Sequence, residues 1–165
     1  MSTAPEMVAS FRFKSTAHEY KIVALRECVT PEGMALCDTP QAAADYWRAN
    51  VVTNPYFNPE IETFVALLLN TRRRVKAVQI VSFGTHDTLL VSPLTVFRLA
   101  VMASAAAIVL MHNHPSGEPT PSEADIKVTR DLIRAGQLLK IEVLDHVIMG
   151  NPAHSSLREL GYFYN

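Results

Sequence analysis

The chain has 165 residues, with 15 Lys and Arg against 16 Asp and Glu, and 48% of its residues are hydrophobic. That length suits one domain able to bury roughly two-thirds of its unfolded surface without disulfide staples, and the composition is globular rather than disordered. A formal net charge of −1 excludes the broad basic field behind strong, sequence-independent nucleic-acid binding.

Residues 1–37 are read as an N-terminal extension packed on the domain. Phe11, Phe13 and the run at 21–25 suggest one or two strands, with a turn at 31–33. Arg12, Lys14, His18, Glu19 and Lys21 interrupt the apolar residues, so no signal peptide is expected. Cys28 and Cys37 are too few for a disulfide scaffold and form no CxxC, which points to ordinary thiols in a reducing, cytoplasmic setting. No apolar run is long enough to cross a bilayer.

From Thr39 the punctuation sharpens. Thr39-Pro40 reads as an N-cap and first helical position, opening a helix over 41–50. A loop with Pro55 and Pro59 follows. Glu62 opens a strand at 64–69 whose continuous apolar run predicts burial on both faces. The polar turn Asn70-Thr71-Arg72-Arg73-Arg74 leads to a second strand at 75–83, giving an antiparallel hairpin. The three arginines suit a solvated hairpin tip, or contact with an acidic partner. A short strand at 88–91 precedes Ser92-Pro93, a second cap signal opening a helix to about residue 105, with Val96, Leu99, Ala100 and Ala103 on its buried face. Residues 106–111 form another short strand, ending in His112-Asn113-His114-Pro115. Thr120-Pro121-Ser122-Glu123 reads as a capping box for a helix to Ala135, closed by Gly136. A strand at 141–149 and a helical turn at 155–160 complete the chain. This order predicts an α/β single domain, a mixed sheet flanked by helices.

The chemistry concentrates in His112-x-His114 followed by Ser122-x-x-Asp125. Residues two apart in extended chain point to the same side, so both imidazoles can face one metal ion at a strand's carboxyl end. Ser122 and Asp125 share a face on the first turn of the next helix, which lets Asp125 return as a third ligand. Two imidazoles and a carboxylate suit zinc and leave an open position of the catalytic kind. Asp125 also suits a first-turn carboxylate favoured by the helix dipole. Ser122 is either a hydrogen-bond donor to a developing oxyanion or a polar first-turn residue. A base is needed, and Glu62, beside an apolar run, is the candidate; Glu60 and Glu118 are its rivals. Asp145-His146 reads as a supporting pair behind the metal or as a hydrogen-bonded core histidine. His18, His86 and His154 have no partner at ligand spacing.

The run His112-Asn113-His114-Pro115-Ser116-Gly117-x-Pro119-x-Pro121-Ser122-x-x-Asp125 resembles the signature of the RadC-like proteins, within the JAB/MPN superfamily of zinc metallopeptidases that carry the JAMM motif. Glu62-x-Phe64-x-x-Leu67-x-Leu69-Asn70-Thr71, residues 105–110, Leu144-Asp145-His146 and Ser156-Leu157-Arg158-Glu159 extend the likeness, so that residues 38–165 are read as the RadC-like domain. The resemblance implies a cytidine-deaminase-like sandwich, Zn2+ held by His112, His114 and Asp125, and Glu62 binding the water. It implies cleavage of amide or isopeptide bonds in a protein or peptide substrate. Leu94 stands where relatives often carry a basic residue, and residues 1–37 do not resemble the helix-hairpin-helix DNA-binding segment common in the family. The chain is therefore expected to be the hydrolase-like domain without that partner, and the family's DNA-repair label finds little support in its charge. The competing expectation is a non-catalytic accessory or DNA-repair-associated binding module on the same fold. A zinc deaminase lacks its HxE and PCxxC signature here.

Overall fold

The computed structural model describes residues 34–84 and 91–163. The strands and turn expected within residues 1–33 lie outside these, as does the strand at 88–91 except for Val91.

Among the described residues, five strands form one mixed sheet: β1 (Thr63–Leu69), β2 (Val75–Phe83), β3 (Ala107–Asn113), β4 (Glu142–Met149) and β5 (His154–Ser156), in the order β2-β1-β3-β4-β5. β1 pairs antiparallel with both β2 and β3, β3 pairs parallel with β4, and β4 pairs antiparallel with β5. The parallel pair needs a long crossover, and helix α3 (Glu123–Leu139) supplies it. Residues 35–37 lie along the start of β2: Val75 N–H donates to the Ala35 carbonyl at 2.9 Å, and Cys37 N–H to the Arg73 carbonyl at 2.8 Å.

Helix α1 (Pro40–Tyr46) starts where the Thr39 hydroxyl accepts the Ala42 N–H, then widens into a π-helical turn, Trp47–Val51. It covers one face of the sheet, burying Ala43, Ala44 and Trp47 against Val65, Leu67, Leu69, Val109 and Met111. Helix α2 (Pro93–Met102), held by a Ser92–Thr95 capping box, covers the other face together with α3. Val96, Phe97, Ala100 and Leu132 pack there on Phe64, Ala66, Leu68, Ile108 and Leu110. All seven residues of β1 are buried, as its continuous apolar run predicts. Burying each of its leucines stabilises the fold by about 1.5–3 kcal/mol.

Three local expectations need correction. The α3 cap is Ser122 with Asp125, two residues later than Thr120 with Glu123, so Pro121 lies outside the helix. Pro121 can precede the cap because it has no N–H to leave unpaired. Gly136 does not end α3, which runs on to Leu139 and closes on Lys140 in the left-handed region. Gly136 instead permits close approach: a Cβ there would lie 2.5 Å from the Ile141 carbonyl oxygen and 3.2 Å from Phe97 and Val143. Gly-to-Ala normally favours a helix by about 1 kcal/mol. Gly136→Ala is expected to reverse that sign and lose about 1–3 kcal/mol through overpacking, read by urea denaturation. Finally, residues 154–156 form β5 rather than part of a helical turn, because Val147 and Met149 offer an open edge on which they pair.

β4 carries one feature that matters for the site. Ile108 pairs with Val143, but the next residue of β3, Val109, pairs with Asp145. Leu144 is therefore an extra residue, a bulge that reverses the alternation of side chains beyond it. Leu144 joins the α1-side core, and Asp145 lines a cavity on that side with Cys37, Ala43 and Val109. His146 consequently falls on the α3 side, in register with Leu110.

Candidate metal centre

The carboxyl end of β3, the start of β1 and the first turn of α3 meet at one point. His112, fully buried in β3, pairs with Phe64 of β1, and their rings stack with 5.8 Å between centroids. His114 is two residues on, and its Nε2 lies 3.0 Å from that of His112. Asp125 arrives from α3 with Oδ1 3.2 Å from His112 Nε2 and Oδ2 3.5 Å from His114 Nε2. Glu62, just before β1, places Oε1 3.6 Å from His112 Nε2. The structure thus gathers Glu62, His112, His114 and Asp125, with one ligand atom from each within 4.8 Å of all the others. This cluster could hold a metal ion.

The two histidines and Asp125 are held from behind. His114 Nδ1 lies 2.7 Å from the Glu118 carbonyl oxygen. A carbonyl only accepts, so Nδ1 carries the hydrogen and Nε2 of the neutral ring presents a lone pair to the cluster. Asp125 Oδ2 accepts from the Ser122 N–H at 2.8 Å and the Ser122 hydroxyl at 2.6 Å, which leaves Oδ1 turned to His112. Ser122 is therefore engaged with Asp125 as a helix cap; its hydroxyl must swing its hydrogen away to serve another acceptor. His112 Nδ1 lies 2.8 Å from His146 Nε2, and His146 Nδ1 lies 2.5 Å from Thr129 Oγ1.

The loop between the histidines and α3 is fastened to the opposite turn. His114 N–H donates to the Met149 carbonyl at 2.9 Å, Asn151 N–H donates to the Gly117 carbonyl at 2.9 Å, and the Ser155 hydroxyl donates to the Pro119 carbonyl. Gly117, at φ +82°, takes a turn conformation that disfavours side chains. Clefts open on either side of His114-Pro115. One, of about 480 Å3, includes Glu60, Glu62 and Ser116 in its wall. The other, of about 560 Å3, is more apolar, with Trp47, Val52, Phe57 and Met149.

The environment sets the charges. Burial raises the Glu62 carboxyl above the usual carboxylate range, with Asp125 adding to the rise and the two histidines opposing it. Burial also pushes Asp125 upward, but the imidazoles of His112 and His114 beside it and the hydrogen bond from Ser122 prevail and hold it well below that range. His114 is raised chiefly by the Asp125 carboxylate at its Nε2, which favours the protonated ring, against the opposing effect of burial. Burial keeps His146 neutral by pulling it well below the ordinary histidine value.

Asp145 and His146 do not act as a pair. The Asp145 carboxylate accepts from the Ser156 hydroxyl at 2.6 Å, the His146 N–H at 2.7 Å and the Arg158 N–H at 3.2 Å. It braces β5 on the far side of the sheet, whereas the His146 ring backs His112. At the hairpin tip, Asn70 Oδ1 accepts the N–H groups of Arg72 and Arg74, and Arg73 lies 3.6 Å from Glu142.

Two contributors escaped sequence reasoning. Asn113 points away from the histidines, accepts the Thr63 N–H at 2.9 Å and donates to the Ile61 carbonyl at 3.2 Å. It thereby fixes the segment that carries Glu62. Its signal was a buried amide within an apolar strand. Thr129 lies one helical turn beyond Asp125, a spacing that puts both on one face.

A mixed sheet between helices, with paired histidines leaving its central strand and a carboxylate at the next helix start, defines an α/β domain of the JAB/MPN type. The RadC-like JAB domain family matches residues 37–162, and the chain belongs to that family. Among curated proteins it is 49% identical over 136 residues to a UPF0758 protein of Desulforudis audaxviator, covering 82% of this chain and 57% of that one. It is 46% identical over 102 residues to a UPF0758 protein of Caldanaerobacter subterraneus subsp. tengcongensis, covering 62% and 44%. A UPF0758 protein of Methanosarcina mazei is 42% identical over 101 residues, covering 61% and 44%. The chain spans about half the length of these relatives. Among the described residues, no helix is long and apolar enough to cross a membrane.

Proposed function

We propose that this domain is a zinc-dependent hydrolase that cleaves an amide or isopeptide bond in a protein or peptide. The observation that supports it is the convergence of two imidazole nitrogens and two carboxylates on one point, with the His114 lone pair already aimed there by the Glu118 carbonyl. Ligands of a tetrahedral zinc stand about 3.3 Å apart, given bonds of about 2.0–2.1 Å; His112 Nε2 lies 3.0, 3.2 and 3.6 Å from His114, Asp125 and Glu62, His114 lies 3.5 Å from Asp125, and one ligand atom from each residue is within 4.8 Å of all the others. The residues therefore fit the ion.

His112, His114 and Asp125 would hold it. When bound, zinc polarises a carbonyl and lowers the pKa of water towards 7. Glu62 is half-buried, at the mouth of a cleft, with its pKa raised. It takes a proton from the attacking water and returns it to the leaving nitrogen. Ser122 keeps Asp125 in place through its backbone N–H and turns its hydroxyl to the substrate oxygen. The clefts beside His114 receive the chain on either side of the scissile bond.

Metal analysis of purified protein, followed by a peptide-library cleavage screen with zinc and with chelator, tests this reading. About one zinc per chain and zinc-dependent cleavage are expected. A protein that binds no zinc, or binds it and cleaves nothing, would count against the hydrolase and for a binding module.

A further inference from the structure

We infer that Thr129 and His146 form a hydrogen-bond relay that fixes the tautomer of His112 and so directs its Nε2 lone pair into the metal centre. This rests on the reading of the centre just given, and adds two positioning residues to it.

The direction of each bond follows from the one before. Thr129 Oγ1 is 2.5 Å from the Asp125 carbonyl oxygen and 2.5 Å from His146 Nδ1. The carbonyl has no hydrogen, so the single hydroxyl hydrogen of Thr129 goes to it. Thr129 Oγ1 can then only accept from His146, which places a hydrogen on His146 Nδ1. His146 is completely buried, and a charged imidazolium there would be costly without a carboxylate against it. The ring is neutral, so its Nε2 carries a lone pair. That nitrogen lies 2.8 Å from His112 Nδ1, which must donate. His112 Nε2 is left without a hydrogen, 3.0 Å from His114 Nε2 and 3.2 Å from Asp125 Oδ1.

The relay begins at the backbone of Asp125 and ends at the ring facing its carboxylate. It links α3 and β3, which carry ligands of the centre, through β4 behind them. It depends on the Leu144 bulge, because with Leu144 in the ladder opposite Val109 His146 would pair with Met111 and face the α1 side. Hydrogen-bond partners behind a ligating histidine are worth about 10- to 100-fold in metal affinity.

The test uses the whole chain with 15N-labelled histidine, free of metal and in mildly alkaline buffer. Two-bond 1H–15N correlations report which ring nitrogen carries hydrogen. The wild-type protein should show Nδ1–H on both His146 and His112. Thr129→Val removes the acceptor while keeping the shape, and both rings should switch to Nε2–H. Thr129→Ser keeps the hydroxyl and should keep the wild-type pattern. Competition with a chromophoric chelator should show zinc binding about 10- to 100-fold weaker in Thr129→Val and near normal in Thr129→Ser. Unchanged tautomers, or unchanged zinc affinity in Thr129→Val, would overturn the relay while leaving the metal centre standing. Wild-type protein with the expected tautomers but no zinc affinity would instead sink the metal centre.

Discussion

Asp125→Ala is expected to abolish stoichiometric zinc binding, with affinity falling by more than the roughly 100-fold attached to supporting residues. Asp125 is the carboxylate that faces His112 and His114 together, and Ser122 holds it in position with two hydrogen bonds. Its removal leaves two imidazoles and Glu62, and releases the Ser122 hydroxyl and N–H from their acceptor. A thermal shift supplies the second readout. A ligand at 1,000 times its Kd stabilises the fold that binds it by about 4 kcal/mol, so chelator should lower the melting temperature of the wild-type protein clearly. The same chelator should leave Asp125→Ala almost unmoved. Equal zinc content in the variant and the wild type would show that the ion, if any, sits elsewhere.

Glu62→Gln is expected to do the opposite: keep the ion and lose hydrolysis by about 100- to 10,000-fold, the range for general acid–base groups. Glu62 is the most distant of the other three from His112 Nε2, at 3.6 Å, and its side chain keeps 29% exposure. Both features suit a proton carrier better than a closed ligand. The amide preserves size and the backbone hydrogen bond from Gly84 to the Glu62 carbonyl. Zinc content and turnover of a peptide found by the screen, measured on one preparation, separate the two roles. Full activity in Glu62→Gln would remove it as the base and turn attention to Glu60 or Glu118.

The two-sided burial of β1, the Thr39 and Ser92 caps and the His112-x-His114 spacing were legible because each is a local rule. A continuous apolar run buries both faces, a hydroxyl before proline starts a helix, and residues two apart in a strand share a side. Gly136 misled because a glycine that ends a helix and one that lets a helix approach a strand look alike until the neighbours, here Ile141 and Phe97, are known. Asp145-His146 was ambiguous for a related reason. Adjacent residues on a strand diverge to opposite layers, but which layer each enters depends on pairing with β3, and no signal within β4 announces Leu144 as extra. The role of Asn113 was hidden likewise, since its partners lie about 50 positions earlier in the chain.

Leu144 makes this fold sensitive to register rather than to identity at one place. Many apolar residues could fill its position, because what it contributes is parity. Beyond it, odd and even positions exchange layers, and Asp145 and His146 inherit their separate duties from that exchange. Were Leu144 drawn into the ladder opposite Val109, the two would swap, sending a carboxylate behind His112 and an imidazole to the β5 brace. The polar groups of β4 would all survive such a slip of register, and each would serve the wrong side of the sheet.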